Sequence, residues 1–350
     1  MRNVEVRVPV RVCDVGGWTD TWFAGHGRVC SLAVEPGVSV TAAAAPGDGL
    51  VTVDAIDFGV TFTLGSEPPE HRLVAEAVRE AGPVGPVDVR LRVTAAVPPA
   101  SSLGTSASVC VGAIAALDAV RGDIRPPPAL AAAAHRAEVE RFGRQSGIQD
   151  QLAAAHGGAN LVDIVRYPDA VTRPLAAPAA LWTALDERLA HVAYGSPHDS
   201  STVHEEVIAA LAHEGPASPR LERLRQLADD AGQALVAGDL DRYGRVLTVA
   251  TEAQAALHPA LMSDAAGELM DIARSGGAAG WKVNGAGGGG GSISILARTR
   301  ADRDRLMDEA GRLGHTPLPL SLARRGARTG EGAAPVRERP PRREPEPPVR

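Results

Sequence analysis

Val4, Val6, Val8 and Val10 alternate with polar or small residues. This is the period-2 pattern of a half-buried strand, and it runs into a turn at Gly16-Gly17. Apolar runs at 29–34, 38–43, 51–55, 60–64 and 87–93 predict further strands, interrupted by a helical stretch at 71–81. Beyond the small-residue segment 97–105 the period changes. The Ala-rich run 106–120 and the run 129–142, which follows Pro126-Pro127-Pro128, read as helices. A loop entering a helix is expected over 147–155 and a strand over 159–164. Strands followed by helices make this half an α+β pattern.

A Pro- and Ala-rich stretch, 168–178, reads as a joint to a second α+β half. That half has a strand at 189–194, helices at 200–213, 219–237, 240–257 and 262–275, a strand–glycine–strand unit at 279–296 and a closing helix at 300–313. The expectation is two domains, 1–167 and 168–323, which a chain of 350 residues accommodates. From Arg324 to Arg350 the chain is Arg, Glu, Pro and Gly with almost no apolar side chains. Such a segment cannot bury enough surface to offset the entropy of ordering, so a disordered tail is expected over 324–350.

Charge narrows the partners. The net charge is -6, and only Lys282 among the 36 basic residues is a lysine. No clustered basic face of the kind a phosphate-backbone binder shows is apparent, so nucleic acid is not an expected partner. Cys13, Cys30 and Cys110 are odd in number and widely spaced, which fits a reducing cytoplasm. Residues 1–12 alternate charged and apolar side chains, unlike a signal peptide, and no run approaches the ~18–20 apolar residues of a membrane helix. A cytoplasmic protein with no membrane partner is expected.

Three segments carry candidate chemistry. The first is Pro98-Pro99-Ala100-Ser101-Ser102-Leu103-Gly104-Thr105-Ser106-Ala107, small residues that end a strand and open a helix. Small side chains admit a polyanion to the backbone, and the N–H groups of a first helical turn are unpaired at the positive end of the dipole. The same residues also suit an ordinary Ser-rich N-cap beside a proline turn. Neither a Walker A loop nor a hydrolase elbow fits, since the only lysine is remote and the second glycine of G-x-S-x-G is missing. The second segment is 145–151, where Asp150 stands at a helix start after Gly147 and follows a helix bearing Glu138. A carboxylate there suits a base for a hydroxyl proton, or equally a first-turn dipole residue. The third is the glycine run 285–291 after Lys282-Val283-Asn284. It formally matches a dinucleotide fingerprint, but a strand, 292–296, follows it where that fingerprint needs a helix. A close crossing of backbone or ligand is the better reading.

Together these segments resemble, in order and spacing, the signature regions of the GHMP kinases, the group of galactokinase, homoserine kinase, mevalonate kinase and phosphomevalonate kinase. Val8-Pro9-Val10-Arg11-Val12-Cys13-Asp14-Val15-Gly16-Gly17-Trp18-Thr19-Asp20 adds a fourth match, to the sugar-binding motif of the sugar-kinase branch. The resemblance spans roughly residues 6–297. It implies a two-domain α+β fold, with an N-terminal domain of the ribosomal protein S5 domain 2-like type and a ferredoxin-like C-terminal domain.

By the same likeness, residues Pro98 to Ala107 would hold the ATP triphosphate, and Ser106 and Glu138 would bind Mg²⁺. Asp150 would be the catalytic carboxylate with Arg11 beside it. Gly17, Trp18, Thr19, Asp20, Gly147, Gln149, His198, Ser200, Gly287 and Gly288 would surround the acceptor, although Ser200 would serve equally as a helix cap. Ala100 and Ser102 depart from a frequent family glycine, which the loop tolerates if both keep negative φ. Thr105 replaces a frequent serine.

Gly17-Trp18 stands where galactokinases carry Glu-His, and the segment looks more like fucokinases and heptose 7-phosphate kinases. The implied activity is transfer of the ATP γ-phosphoryl group to a sugar or sugar-phosphate hydroxyl, foremost the anomeric C1 hydroxyl of a heptose 7-phosphate or related sugar. Alternatives are a fucokinase- or galactokinase-like kinase of a free sugar, a non-catalytic sugar and nucleotide sensor on this fold, and a nicotinamide or flavin enzyme using the glycine run.

Overall fold

The computed structural model describes residues 2–65, 71–195 and 200–331. The N-terminal valines do form a strand, β1 (Arg2–Val15), which pairs antiparallel with β2 (Gly27–Pro46), Val6 opposite Val40. The two strands expected at 29–34 and 38–43 are therefore one. Glu35-Pro36-Gly37 is absorbed by an irregularity in register, and Gly37 runs so close to β1 that a Cβ would lie 2.3 Å from the Val8 carbonyl oxygen.

β3 (Val51–Ala55), β4 (Val60–Thr63) and β5 (Val87–Ala95) extend this sheet, with β5 lying between β2 and β3. Helices α1 (Arg72–Ala81), α2 (Thr105–Arg121), α3 (Pro127–His135) and α4 (Gln149–His156) bury their apolar faces against it, around Val6, Val40, Leu91, Ile114 and Leu117. α3 starts at Pro127, where a missing N–H costs nothing, and continues as a wide π turn over Arg136–Arg141. β6 (Ala159–Arg166) returns to β2.

The expected joint 168–178 holds a strand instead, β7 (Asp169–Pro174), and leads into α5 (Ala179–Arg188). Among the described residues β7 is a mostly exposed edge strand whose one partner is β6, so its formation owes more to the neighbouring backbone than to its own apolar pattern.

The second half is a four-stranded antiparallel sheet in the order β11-β8-β10-β9, built from β8 (Leu189–Gly195), β9 (Gly280–Val283), β10 (Gly290–Leu296) and β11 (Thr316–Leu318). α6 (Ser200–Leu211), α7 (Pro219–Ala237), α8 (Leu240–Ala255), α9 (Asp264–Ser275) and α10 (Arg300–Arg312) accompany it. Side chains of Ser218, Asp239, Ser263 and Thr299 accept N–H bonds at the starts of α7, α8, α9 and α10. With Ser263 as cap, α9 begins at Asp264, two residues after the expected start.

The chain then returns to the first sheet. β12 (Ser321–Leu322) pairs with β2, and β13 (Arg328–Glu331) pairs with β1. Residues 324–331 are therefore structured, contrary to the expected tail, while 332–350 lie outside the described residues. Backbone pairing to the free edge of β1 and an Arg328–Glu35 ion pair do what apolar side chains do not. Cys13, Cys30 and Cys110 are buried thiols. Among the described residues no helix is long and apolar enough to cross a membrane.

Candidate active site

A cavity of about 640 Å³ opens where the end of β1, the loop before α2, the start of α4 and the turn after β9 converge. Residues Pro99 to Ser106 line it. Pro98 only flanks it, and Ala107 is fully buried beneath it. The N-cap of α2 is Gly104, at φ +75°, and no side chain caps the helix. The first N–H groups of a 17-residue helix are thus left for a ligand at the cavity wall. The buried Ser101 hydroxyl also faces this space without a protein partner. Ser108, in contrast, spends its hydroxyl on the Pro9 carbonyl at 2.7 Å.

Ala100 and Ser102 are not at negative φ as the loop reading required. They sit at +57° and +55° in the left-handed region. Together with Gly104, alternate residues of the loop curl its backbone toward the cavity, at a cost of order 1 kcal/mol for each non-glycine.

Asp150, in the first turn of α4, meets this loop directly. A Cβ on Gly104 would lie 3.1 Å from its carboxyl carbon. Arg11 holds Asp150 by two bonds, Nε to Oδ1 at 2.8 Å and Nη2 to Oδ2 at 3.3 Å, and also donates to the Ser102 carbonyl. Burial disfavours the Arg11 charge, but Asp150 and Asp14 outweigh it and hold its pKa above the usual guanidinium range.

Glu138 lies in the π turn and is buried, accepting from Gln151 Nε2 at 2.8 Å. Burial raises its pKa, opposed by the Ser106 hydroxyl and Arg144. A serine hydroxyl and a carboxylate beside a phosphate-ready helix end are the hard oxygen donors that Mg²⁺ takes in part, leaving its other positions to phosphate and water.

Asp20 is buried at the opposite end, accepting from the Gln149 backbone N–H at 3.1 Å and from Gln149 Nε2 at 3.4 Å. Burial, then the charge of Asp150, pushes its pKa up to about 7. Gln149 Oε1 is buried without a partner in the same wall. Trp18 lines the cavity too, whereas Gly17 and Thr19 support it from behind. Gly17 has Asp14 and Gln149 side chains against its Cα, and the Thr19 hydroxyl bonds Gly16 O at 2.7 Å.

Gly287 and Gly288 do not reach the cavity. A Cβ on Gly287 would lie 2.3 Å from Leu261 O, and Gly288 N donates to that same oxygen at 3.1 Å. Gly285 and Ala286 line the site instead. His198 lies outside the described residues, as does the side chain of Ser200.

Several residues at or beneath the cavity were not singled out by the sequence reading. Asp14 accepts the Gly285 N–H with both oxygens at 3.0 Å and faces Lys282 Nζ at 3.9 Å. Lys282, 1% exposed, donates to Gln254 and Val283 O, and burial lowers its pKa against the pull of Asp14. Being the sole lysine in the chain was its available signal. The far end of the cavity, with Phe58, Leu73, Val93 and Phe142, is assembled from separate segments and had no local signature.

Residues 71–158 match the family model described as GHMP kinases N terminal domain. The bifunctional fucokinase/GDP-fucose pyrophosphorylase of Arabidopsis thaliana is 27% identical over 326 residues, 85% of this chain and 30% of that protein. The D-glycero-alpha-D-manno-heptose 7-phosphate kinase of Campylobacter jejuni is 25% identical over 212 residues, 59% of this chain and 60% of that protein. The chain thus spans less than two thirds of the length of these relatives. In structure it is similar to a D-glycero-D-manno-heptose 1-phosphate kinase from Bacteriodes thetaiotaomicron, with TM-score 0.72, 19% identity, and 95% and 100% of the two chains covered. The matched segment, 71–158, contains both the loop before α2 and Asp150, and the chain around it shares its fold with a solved sugar kinase: residues 71–158 are similar to a GHMP kinase N-terminal domain.

Proposed function

We propose that the protein is an ATP-dependent sugar kinase that transfers the γ-phosphoryl group to the anomeric C1 hydroxyl of a heptose 7-phosphate or a related sugar. The observation that carries this reading is the contact of Asp150 with the loop at Gly104, while Arg11 grips the same carboxylate by two bonds. A base held beside a polyanion cradle is what phosphoryl transfer to a hydroxyl needs, because positioning and charge stabilisation supply most of that catalysis. The names of the Arabidopsis and Campylobacter relatives support a sugar as acceptor.

In this reading the N–H groups opening α2, with Ser101, bind the phosphates. Arg11 occupies one side of the Asp150 carboxylate, leaving lone pairs to accept the proton of the attacking hydroxyl, and offsets the charge that remains. Ser106 and Glu138 would hold Mg²⁺, which would supply charge compensation to the phosphates when bound. Asp20 and the unpartnered Gln149 Oε1 accept from sugar hydroxyls and fix the ring.

The test is ADP release across free hexoses, deoxyhexoses, uronic acids and heptose 7-phosphates, with NMR of the product to locate the new phosphate. ADP release with none of these sugars, together with no binding of ATP and magnesium by calorimetry, rules the reading out.

A further inference from the structure

The stretch between the π turn and α4, residues 142–148, contains no helix or strand, yet Gln145, Ser146 and Gly147 line the cavity. Backbone of this kind keeps its place only through bonds to other parts of the chain. One hold comes from the turn after β1. Ile148 N–H donates to the Asp20 carbonyl at 3.4 Å, and Gly147 packs against the Asp20 carboxylate. A second hold comes from Tyr167, which follows β6 and donates its hydroxyl to the Ser146 carbonyl at 3.1 Å.

Tyr167 also grips the first of these segments. Its backbone N–H donates to the Gly25 carbonyl at 2.8 Å, in the turn that carries Asp20. One residue thus ties together the two pieces of chain that share the Asp20 carboxylate. The phenol is itself fixed by His135, the last residue of α3 and 3% exposed. His135 Nε2 lies 2.7 Å from the Tyr167 hydroxyl, and the rings meet edge to face with centroids 5.3 Å apart. Burial, then Arg136, lowers the His135 pKa to about 4, so the imidazole is neutral with a single N–H. With its own proton given to Ser146, the phenol oxygen accepts from that N–H on Nε2. Neither ring lines the cavity, so neither has a ligand to touch.

We propose that Tyr167, oriented by His135, is a positioning residue for the acceptor: through the Ser146 carbonyl it holds residues 145–147 against Asp20 and so fixes the wall that receives the sugar. The proposal rests on the kinase reading and extends it to two side chains outside the cavity.

The test measures kcat and KM with whichever hexose, deoxyhexose, uronic acid or heptose 7-phosphate the wild type turns over fastest, and ATP affinity by calorimetry. Tyr167→Phe keeps the ring and loses the hydroxyl. It should raise the acceptor KM about fivefold, the size of one lost hydrogen bond, with kcat and ATP affinity near wild type. In an Asp20→Asn background the same change should cost less, because both act on one carboxylate. His135→Leu should raise the acceptor KM in the same direction, whereas His135→Gln, whose amide N–H can replace the one on Nε2, should leave it near wild type. An unchanged acceptor KM in Tyr167→Phe, a matching loss of ATP affinity, or full additivity with Asp20→Asn overturns the proposal while leaving the kinase intact. If Tyr167→Phe does not fold, the His135 pair decides, and equal KM values in His135→Leu and His135→Gln overturn it. A wild type that neither binds ATP with magnesium nor releases ADP with any of these sugars fails earlier, on the kinase reading, and the positioning role falls with it.

Discussion

Gly147 leaves no room for a methyl group: a Cβ there would fall 1.8 Å from Oδ2 of Asp20. This approach lets the segment before α4 and the turn after β1 share one buried carboxylate. Gly147→Ala should displace Asp20 and raise the acceptor KM about tenfold or more, with ATP affinity little changed. Steady-state kinetics with each substrate varied in turn will show whether the damage is confined to the acceptor.

In the proposed reaction Asp150 accepts the proton of the attacking hydroxyl. Asp150→Asn should lower kcat by more than about a hundredfold. Calorimetric binding of ATP with magnesium should remain. A variant with near wild-type turnover would remove this carboxylate from the chemistry.

The left-handed alanine in the loop is a built-in strain. Replacing Ala100, at φ +57°, by glycine should stabilise the fold by about 1 kcal/mol, since the relief exceeds the extra freedom of the unfolded glycine. The thermal midpoint should rise. A fall would mean that the methyl makes contacts worth more than the strain.

Asp20 gives stability a pH dependence of known sign. Burial pushes its pKa up to about 7 in the folded chain, from an ordinary value of 3.8. Between roughly those values the folded state holds a proton that the unfolded chain has released, so this contribution is full below the lower value and lost as pH rises toward the upper. The midpoint of the wild type minus that of Asp20→Asn should fall from pH 4 to pH 7 and level off above it. A flat difference would show the carboxyl to be ionised in the fold throughout.

Lys282 and Asp14 form a buried pair beneath the acceptor end. Lys282→Met alone should cost about 3–5 kcal/mol, because Asp14 loses its compensating charge. Adding Asp14→Asn should recover part of that loss, and a double-mutant cycle by denaturant unfolding measures the coupling.

Much of the architecture was legible because its causes are local. Alternating valines in β1 and the glycines flanking short apolar runs act within a few residues, whereas the cap at Ser263, which sets the start of α9, went unread. β7 and β13 were not legible. Each lacks a strong apolar pattern and exists because a neighbouring strand offers unpaired backbone. The single strand β2 was misread as two for a related reason, since its continuity across Pro36 is held by β1.

Residue type and order marked Asp150 and placed a small-residue loop before a helix, and the resemblance to the GHMP kinases added Arg11, Asp20, Ser106 and Glu138 as candidates. Those are one-dimensional facts. Whether five groups scattered from residue 11 to residue 150 share one cavity depends on how sheets and helices pack, as do the sign of φ at Ala100 and Ser102, the retreat of Gly287 and Gly288 behind Leu261, and the entry of Asp14 and His204. Distances between remote segments are set by long-range packing, in which no single stretch of chain holds enough of the energy to announce the outcome.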